Sequence, residues 1–240
     1  MQPLTDHSQS VYSDRAWVKE SRFGNWFQST NIWSRYVMAE ALERLIPMIK
    51  TPLPTHPSIL DAGCGQGIAF GKLCQAFTPQ IIVGIDIDEK LIARARIVAE
   101  NTECHVDTFP GNIKNLQIES SSFDIVFCHQ SLHHVNDQEL TLAEFRRVLG
   151  PDGILMLAES CRSFTLSPII KTLFRHPEEN QRSADEFLDL LNNAGFTTEK
   201  DCVSTPDIWW ARPGMGLLQL LGMPRTDRPA PLLLAIARPA

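Results

Sequence analysis

The stretch Ile59-Leu60-Asp61-Ala62-Gly63-Cys64-Gly65-Gln66-Gly67 decides the fold of this 240-residue chain. It opens on a short apolar run, ends that run on an acid, and then sets glycines at alternate positions. Such a run reads as a buried strand, and the glycines read as the turn into a helix, where backbone N–H groups can approach a ligand with no Cβ in the way. A dinucleotide fingerprint would want Gly or Ala at position 68, where Ile68 stands, and Asp61 would repel a pyrophosphate. The loop suits a ligand that carries an ammonium group.

Outward from this loop, short apolar runs alternate with segments of helical period. Residues 58–61, 81–86, 104–109, 123–128 and 154–159 read as strands, the third being the weakest, and residues 68–77 and 89–100 read as helices. Asn136-Asp137-Gln138-Glu139 has the form of a capping box opening a helix that runs to Leu149, and Gly150 to Gly153 then turns into the fifth strand. Ser183-Ala184-Asp185-Glu186 is a second box, opening a helix with Phe187, Leu190 and Leu191 and closed by Gly195. Strand–helix alternation of this kind predicts a parallel, doubly wound α/β sheet. Residues 1–50 begin polar, then carry Trp17, Phe23, Trp26, Phe27, Trp33 and Tyr36, with Tyr36, Val37, Ala41 and Leu45 at helical spacing before Pro47. They predict an aromatic-rich helical cap, divided from a domain at 51–240 by the proline-rich connector 51–57.

In an open α/β sheet the residues just after each strand meet the ligand. The second strand ends in Gly84-Ile85-Asp86-Ile87-Asp88, and an acid about 20 residues beyond the glycine loop typically grips ribose hydroxyls. Asp86 is that acid, because it ends the apolar run, while Asp88 reads as the cap of the next helix.

Four blocks in order, Ile59 to Gly67, Val83-Gly84-Ile85-Asp86, Ser122 to Phe127 and Glu144 to Leu155, resemble the class I S-adenosylmethionine-dependent methyltransferases. The resemblance covers residues 58–159, and Asn193-Ala194-Gly195-Phe196 extends it. Within that family the chain is similar to a small-molecule branch that includes quinone-pathway methyltransferases, in which Leu132-His133-His134-Val135 is familiar after the fourth strand. The resemblance implies a Rossmann-like seven-stranded sheet of order 3-2-1-4-5-7-6 with the last strand antiparallel, residues 232–238 supplying that strand. It also implies S-adenosylmethionine as cofactor and S-adenosylhomocysteine as product. Carried over by position, Asp61, Gly63, Cys64, Gly65 and Gly67 would hold the methionine portion, Asp86 the ribose diol, and Ile87 would pack on the adenine. The family usually has Gly-Asp after the third strand, its carboxylate accepting from the adenine amine, whereas this chain has Gly111-Asn112. The Asn112 carbonyl can accept the same bond without charge, with Ile113 beside it, or Asn112 is merely a turn residue.

Methyl transfer from a sulfonium is an in-line displacement, so alignment supplies much of the acceleration, and a base is needed only where the acceptor must lose a proton. Cys128-His129-Gln130-Ser131-Leu132-His133-His134 follows the fourth strand at the mouth of the expected site. His129 and His133 are four apart and share a face if the segment is helical, so either could be a base or orient the acceptor, while His134 should point elsewhere. The alternative is that His133 is scaffold, or that His129 lies beside the cofactor. A zinc site from Cys128, His129 and His133 has too few ligands at matching spacing, so no metal is expected.

Insertions at 160–182 and 205–230 fall outside the resemblance and are where acceptor choice is expected. Residues 205–223 hold Trp209, Trp210, Met215, Leu217, Leu218 and Met223 among glycines, a segment that reads as core by default and as a lid over an apolar acceptor in its sharper form. It should meet the helix of residues 17–45 above the first and fourth strands.

Composition narrows the function classes. Hydrophobic types make up 43% and charged types 21%, which is ordinary globular material, and Lys+Arg 22 against Asp+Glu 28 gives a net charge of -6 without a basic block. Nucleic acid is therefore a poor partner, since phosphate neutralisation needs clustered cations, and the Asn/Asp-Pro-Pro-aromatic loop of amino-methylating nucleic-acid enzymes is absent from the sequence. The 6 cysteines form no C-x-x-C pair, and no apolar run approaches the ~18 residues of a membrane span, which predicts a cytoplasmic protein with reduced thiols. A small, apolar metabolite is the expected acceptor. Methylation of a protein target and a non-catalytic cofactor-binding scaffold are the competing expectations.

Overall fold

The computed structural model describes residues 20–208 and 229–240. Strand β1 (Ser58–Ala62) pairs in parallel with β2 (Ile81–Asp86) on one side and with β4 (Phe123–His129) on the other. Strand β3 (Val106–Pro110) adds to β2 and β5 (Leu149–Ser160) to β4, all parallel. The last strand, β8 (Leu232–Pro239), runs antiparallel to β5 and carries the two-residue strands β6 (Phe196–Thr197) and β7 (Val203–Ser204). The order is β3-β2-β1-β4-β5-β8-β6, which is the expected one with the short β7 as an eighth strand.

Both faces of the sheet are covered, which is why its strands are nearly continuous in apolar residues. Alternate residues divide between the two layers. Ile59, Ile125, Phe127, Ile154 and Met156 pack on helices α2 (Ala39–Leu45), α3 (Phe70–Phe77) and α4 (Glu89–Glu100), against Leu42, Leu45, Phe70, Leu73 and Ile92. Leu60, Val126, Leu155 and Leu157 face α5 (Gln138–Val148) and α8 (Ala184–Asn193), against Leu142, Phe145, Phe187 and Leu191. Each such side chain contributes roughly 1.5–3 kcal/mol on burial, so the two layers hold the strand ends at fixed separation.

Several local expectations shift. Helix α3 begins two residues late at Phe70, and β3 begins at Val106. The Ser183 box forms as expected, with Glu186 N donating to Ser183 Oγ and Ser183 N donating to Glu186 Oε2. The Asn136–Glu139 box does not. The Asp137 carboxylate pairs with Lys114 and Asn136 Oδ1 accepts from Asn180, so tertiary partners take the groups that would have capped α5. Gly150 to Gly153 bulges out of the β4–β5 ladder, where Phe123 pairs with Leu149 and Ile125 with Ile154.

The cap is helical but not uniformly α. Helix α1 (Arg22–Gln28) is followed by a π-helical stretch (Trp33–Met38), in which Ala39 N bonds Ser34 O, and then by α2. The wider turn buries Val37 and Met38 and leaves Tyr36 44% exposed, out of register with the apolar face that the spacing predicted for it. The segment α6 (Arg162–Thr165) and α7 (Pro168–Leu173) faces the cap. Ser21 Oγ donates to Leu173 O, Arg175 N donates to Glu20, and Phe174 stands edge-on to Phe23 and Phe27 at 5.6 and 5.8 Å. The expected lid, with Trp209 and Trp210, lies outside the described residues. No described helix is long and apolar enough to cross a membrane.

Candidate active site

A first cavity opens at the carboxyl ends of β1 to β4, walled by Gly63, Cys64, Gly65, Asp86, Ile87, Asn112, Ile113 and His129. The glycine loop is held there by its backbone. Gly63 N and Cys64 N both donate to Ile85 O, and Gly63, Gly65 and Gly67 all have positive φ. At Gly63 a Cβ would fall 2.3 Å from Ser131 Oγ, so the residue must be glycine for space as well as for φ. Beside Gly65 there is open space, which the cavity occupies.

Asp86 has two duties. Its Oδ2 accepts from Gly65 N and its Oδ1 from Asp88 N, both at 2.9 Å, so it ties the end of β2 to the glycine loop while facing the cavity. Burial pushes its carboxyl up despite the pull of those two amides. Asp88 caps α4, its side chain accepting from Lys90 N. Asn112 combines the two readings open for it: its Oδ1 accepts from Lys114 N in a turn, and the residue lines the cavity.

Asp61 and Gly67 are not on the cavity wall. Asp61 is buried, its Oδ2 has no hydrogen-bond partner, and burial together with the charge of Asp86 pushes its carboxyl up to about 8. An orphaned buried carboxylate behind a cavity favours a cationic ligand in front of it.

The histidines differ from expectation. His129 ends β4 and His133 lies on a separate 3-10 turn (Leu132–His134), so the two do not share a helical face. His129 lines the first cavity, edge-on to Trp33 at 5.9 Å, with Nε2 unpartnered and its imidazole pushed down to about 3 by burial and by His133. His133 lines a second cavity instead. His134 does not point away: it lines both, and burial holds its imidazole well below the usual range.

The second cavity lies between the cap and α6–α7, walled by Phe23, Phe27, Ile32, Tyr36, Phe164 and Phe174 among others. Glu20, Gln28, Trp33, Gln130 and His134 line both cavities, so the two adjoin across these side chains. Three residues here escaped the sequence reading. Glu159, fully buried at the end of β5, accepts Ser131 N and Leu132 N on Oε1 and His133 Nδ1 on Oε2 at 2.5 Å. An acid closing an otherwise apolar strand was the available signal. Gln130 turns the chain with φ +53 and accepts from Ser160 Oγ, and His176, in an irregular insertion, had no signal at all.

Residues 60–157 match the model of a family described as a methyltransferase domain. Over those residues the chain is similar to S-adenosylmethionine-dependent methyltransferases. A protein of Mycolicibacterium smegmatis described as a probable S-adenosylmethionine-dependent methyltransferase is 32% identical over 141 residues, 59% of this chain and 52% of that one. The 27-O-demethylrifamycin SV methyltransferase of Amycolatopsis mediterranei is 29% identical over 199 residues, 78% of this chain and 70% of that one. The fold is shared with an S-adenosylmethionine-dependent methyltransferase of Mesorhizobium loti, TM-score 0.61 at 22% identity, covering 82% of this chain and 97% of the other. The chain spans about half the length of curated relatives such as the mycobacterial ones. The cofactor of the methyltransferase domain is S-adenosylmethionine, and the first cavity fits it: a carboxylate without a donor for the ammonium, open space against Gly65, and an acid at the end of β2.

Proposed function

We propose that this protein transfers the methyl group of S-adenosylmethionine to a small, apolar acceptor held in the second cavity. The observation that carries this reading is that an aromatic cavity adjoins the cofactor cavity, the two sharing Trp33, Gln130 and His134 as lining. The lining of the second cavity is mostly aromatic and aliphatic with a few polar groups among them, which is the character of a small-molecule site. A protein target would need an open groove rather than a space roofed by Phe23, Phe27 and Phe174.

Bound S-adenosylmethionine supplies an electrophilic methyl on a sulfonium. Asp86 would hold the ribose diol with the lone pairs that Gly65 and Asp88 leave free, Ile87 and Ile113 would flank the adenine, and Asn112 would accept from its amine. Asp61 would balance the ammonium from behind the loop. Trp33 and the phenylalanines exclude water from the acceptor and fix its approach, which is where alignment lowers the barrier. Of the two imidazoles singled out, His133 belongs with the acceptor, because it lines that cavity and Glu159 fixes its ring with Nδ1–H and a free lone pair on Nε2. His129, buried at the cofactor cavity and held neutral, is a wall.

The test is transfer of labelled methyl to a panel of apolar hydroxyl, amine and carbon-acid compounds, with peptides alongside. His133→Ala should lower kcat by about 10²–10⁴ while S-adenosylhomocysteine affinity stays near normal. Turnover on peptides with none on the small compounds would show the reading to be wrong.

A further inference from the structure

The acceptor cavity contains a feature that alignment and apolar contact do not explain. Among the described residues, His133, His134 and His176 each bring one ring nitrogen within 4.8 Å of the others. Their ring centroids stand 4.3, 5.1 and 5.1 Å apart, with no hydrogen bond between any two of the rings. Nδ1 of His134 and Nδ1 of His176 are buried with no partner. Nδ1 of His133 is bound to the buried Glu159, so the proton sits on Nδ1 and the lone pair on Nε2. The chain positions this trio deliberately from two segments far apart in sequence. Gln181 Nε2 donates to His133 O and to Pro177 O, and Gln138 Nε2 donates to Leu132 O and to Asn180 O, which clamps the loop carrying His176 against the turn carrying His133 and His134.

We propose that His133, His134 and His176 form a binding site for a divalent transition-metal ion, with its open coordination position toward the aromatic cavity. Three neutral imidazoles are the ligand set of zinc and its neighbours and not of magnesium or calcium, which take oxygen. Three protein ligands leave a fourth position for water or substrate, which is the form of a catalytic rather than a structural zinc site. Three nitrogens within 4.8 Å of one another are near the spacing that metal–nitrogen bonds of about 2.0–2.1 Å require, and rotation of the His134 and His176 rings can adjust it, since neither Nδ1 is held. Glu159 stands as the outer carboxylate that orients a ligating imidazole through its other nitrogen, a positioning residue. The role of the ion rests on the acceptor reading above: an acceptor oxygen in the fourth position would be held at one point and one direction within an otherwise apolar cavity. The existence of the site does not rest on it.

The experiment uses the full chain, stripped with a chelator and titrated with Zn²⁺ by calorimetry and with Co²⁺ by visible absorption. One equivalent should bind, with a Co²⁺ spectrum free of thiolate charge-transfer bands, which separates this site from the free cysteines. His176→Ala should weaken Zn²⁺ binding at least about tenfold, and Glu159→Gln by about 10–100-fold. His176 does not line the first cavity, so S-adenosylhomocysteine affinity should be unchanged in the His176 variant, which reports an intact fold; if alanine there disturbs the fold, His176→Gln with intact cofactor binding gives the same comparison. Absence of Zn²⁺ binding, thiolate bands in the Co²⁺ form, or Zn²⁺ affinity that the His176 variants leave unchanged would overturn the proposal. Metal binding without any methyl transfer to small compounds would instead remove the proposed function and leave the site standing.

Discussion

Glu159 is where a single-atom change has the most to report. Its two oxygens accept from three N–H donors, Ser131 N at 3.0 Å, Leu132 N at 2.8 Å and His133 Nδ1 at 2.5 Å, and from the Cys128 thiol at 3.8 Å, in a position with no solvent exposure. Glu159→Gln preserves size and leaves one carbonyl oxygen for the two amides. The amide NH₂ then meets His133 Nδ1, and two donors cannot face each other, so the imidazole must move its proton to Nε2 and accept at Nδ1. Two charge-assisted bonds of about 1.5–3 kcal/mol become neutral ones of about 0.5–1.5 kcal/mol, and the third reverses direction. Relief of carboxylate burial offsets part of that loss, leaving a net destabilisation of about 1–3 kcal/mol, with Tm falling by about 2–4 °C for each kcal/mol. Glu159→Ala strands all three donors and should cost more than about 3 kcal/mol. Nitrogen NMR of the histidine rings reads the tautomer directly and needs no acceptor. A Glu159→Gln protein that keeps His133 in the Nδ1–H form and melts with the wild type would refute the assignment of Glu159 as the group that sets this imidazole.

Asp86→Ala should weaken S-adenosylhomocysteine binding by about 1.5–3 kcal/mol, roughly ten- to a hundredfold by calorimetry, and should also lower Tm because Gly65 N and Asp88 N lose their acceptor; unchanged affinity would remove Asp86 from the cofactor site. Gly65→Val should be worse for binding, since φ +55 strains any side chain and the branches enter the open space beside the loop. Below about pH 6.5 the depressed His129, His134 and His176 imidazoles make stability rise with pH, so the signature of Asp61 lies between about pH 7 and 8: there the ligand-free protein should lose stability as pH rises, because the native Asp61 carboxyl, raised to about 8, binds a proton that the unfolded chain has already released, and S-adenosylhomocysteine should flatten that slope; a melting temperature that rises between about pH 7 and 8 would contradict the orphaned carboxylate. Phe174→Ala removes edge contacts to Phe23 and Phe27 and should raise acceptor KM with S-adenosylhomocysteine affinity intact, whereas a matching loss of both would mean that the cap supports the cofactor cavity as well.

The strands and the glycine loop were legible in the sequence because each is a local matter, an apolar run buried on both faces or a glycine demanded by φ, whereas the order of the sheet and its antiparallel last strand at residues 232–238 came only from the family resemblance. The cap at α5 was misread because Asp137 and Asn136 had better partners in Lys114 and Asn180, which sequence distance concealed. His129 and His133 would share a face only if their segment were helical, and a strand end and a sharp turn at Gln130 send them instead to different cavities. The acceptor side depends on contacts between residues 20–38 and 160–182, and the gathering of His133, His134 and His176 depends on Gln138 and Gln181 bridging the two segments. Periodicity reports which face of an element is buried; it carries no record of what that face is buried against, and that pairing only the tertiary structure decided.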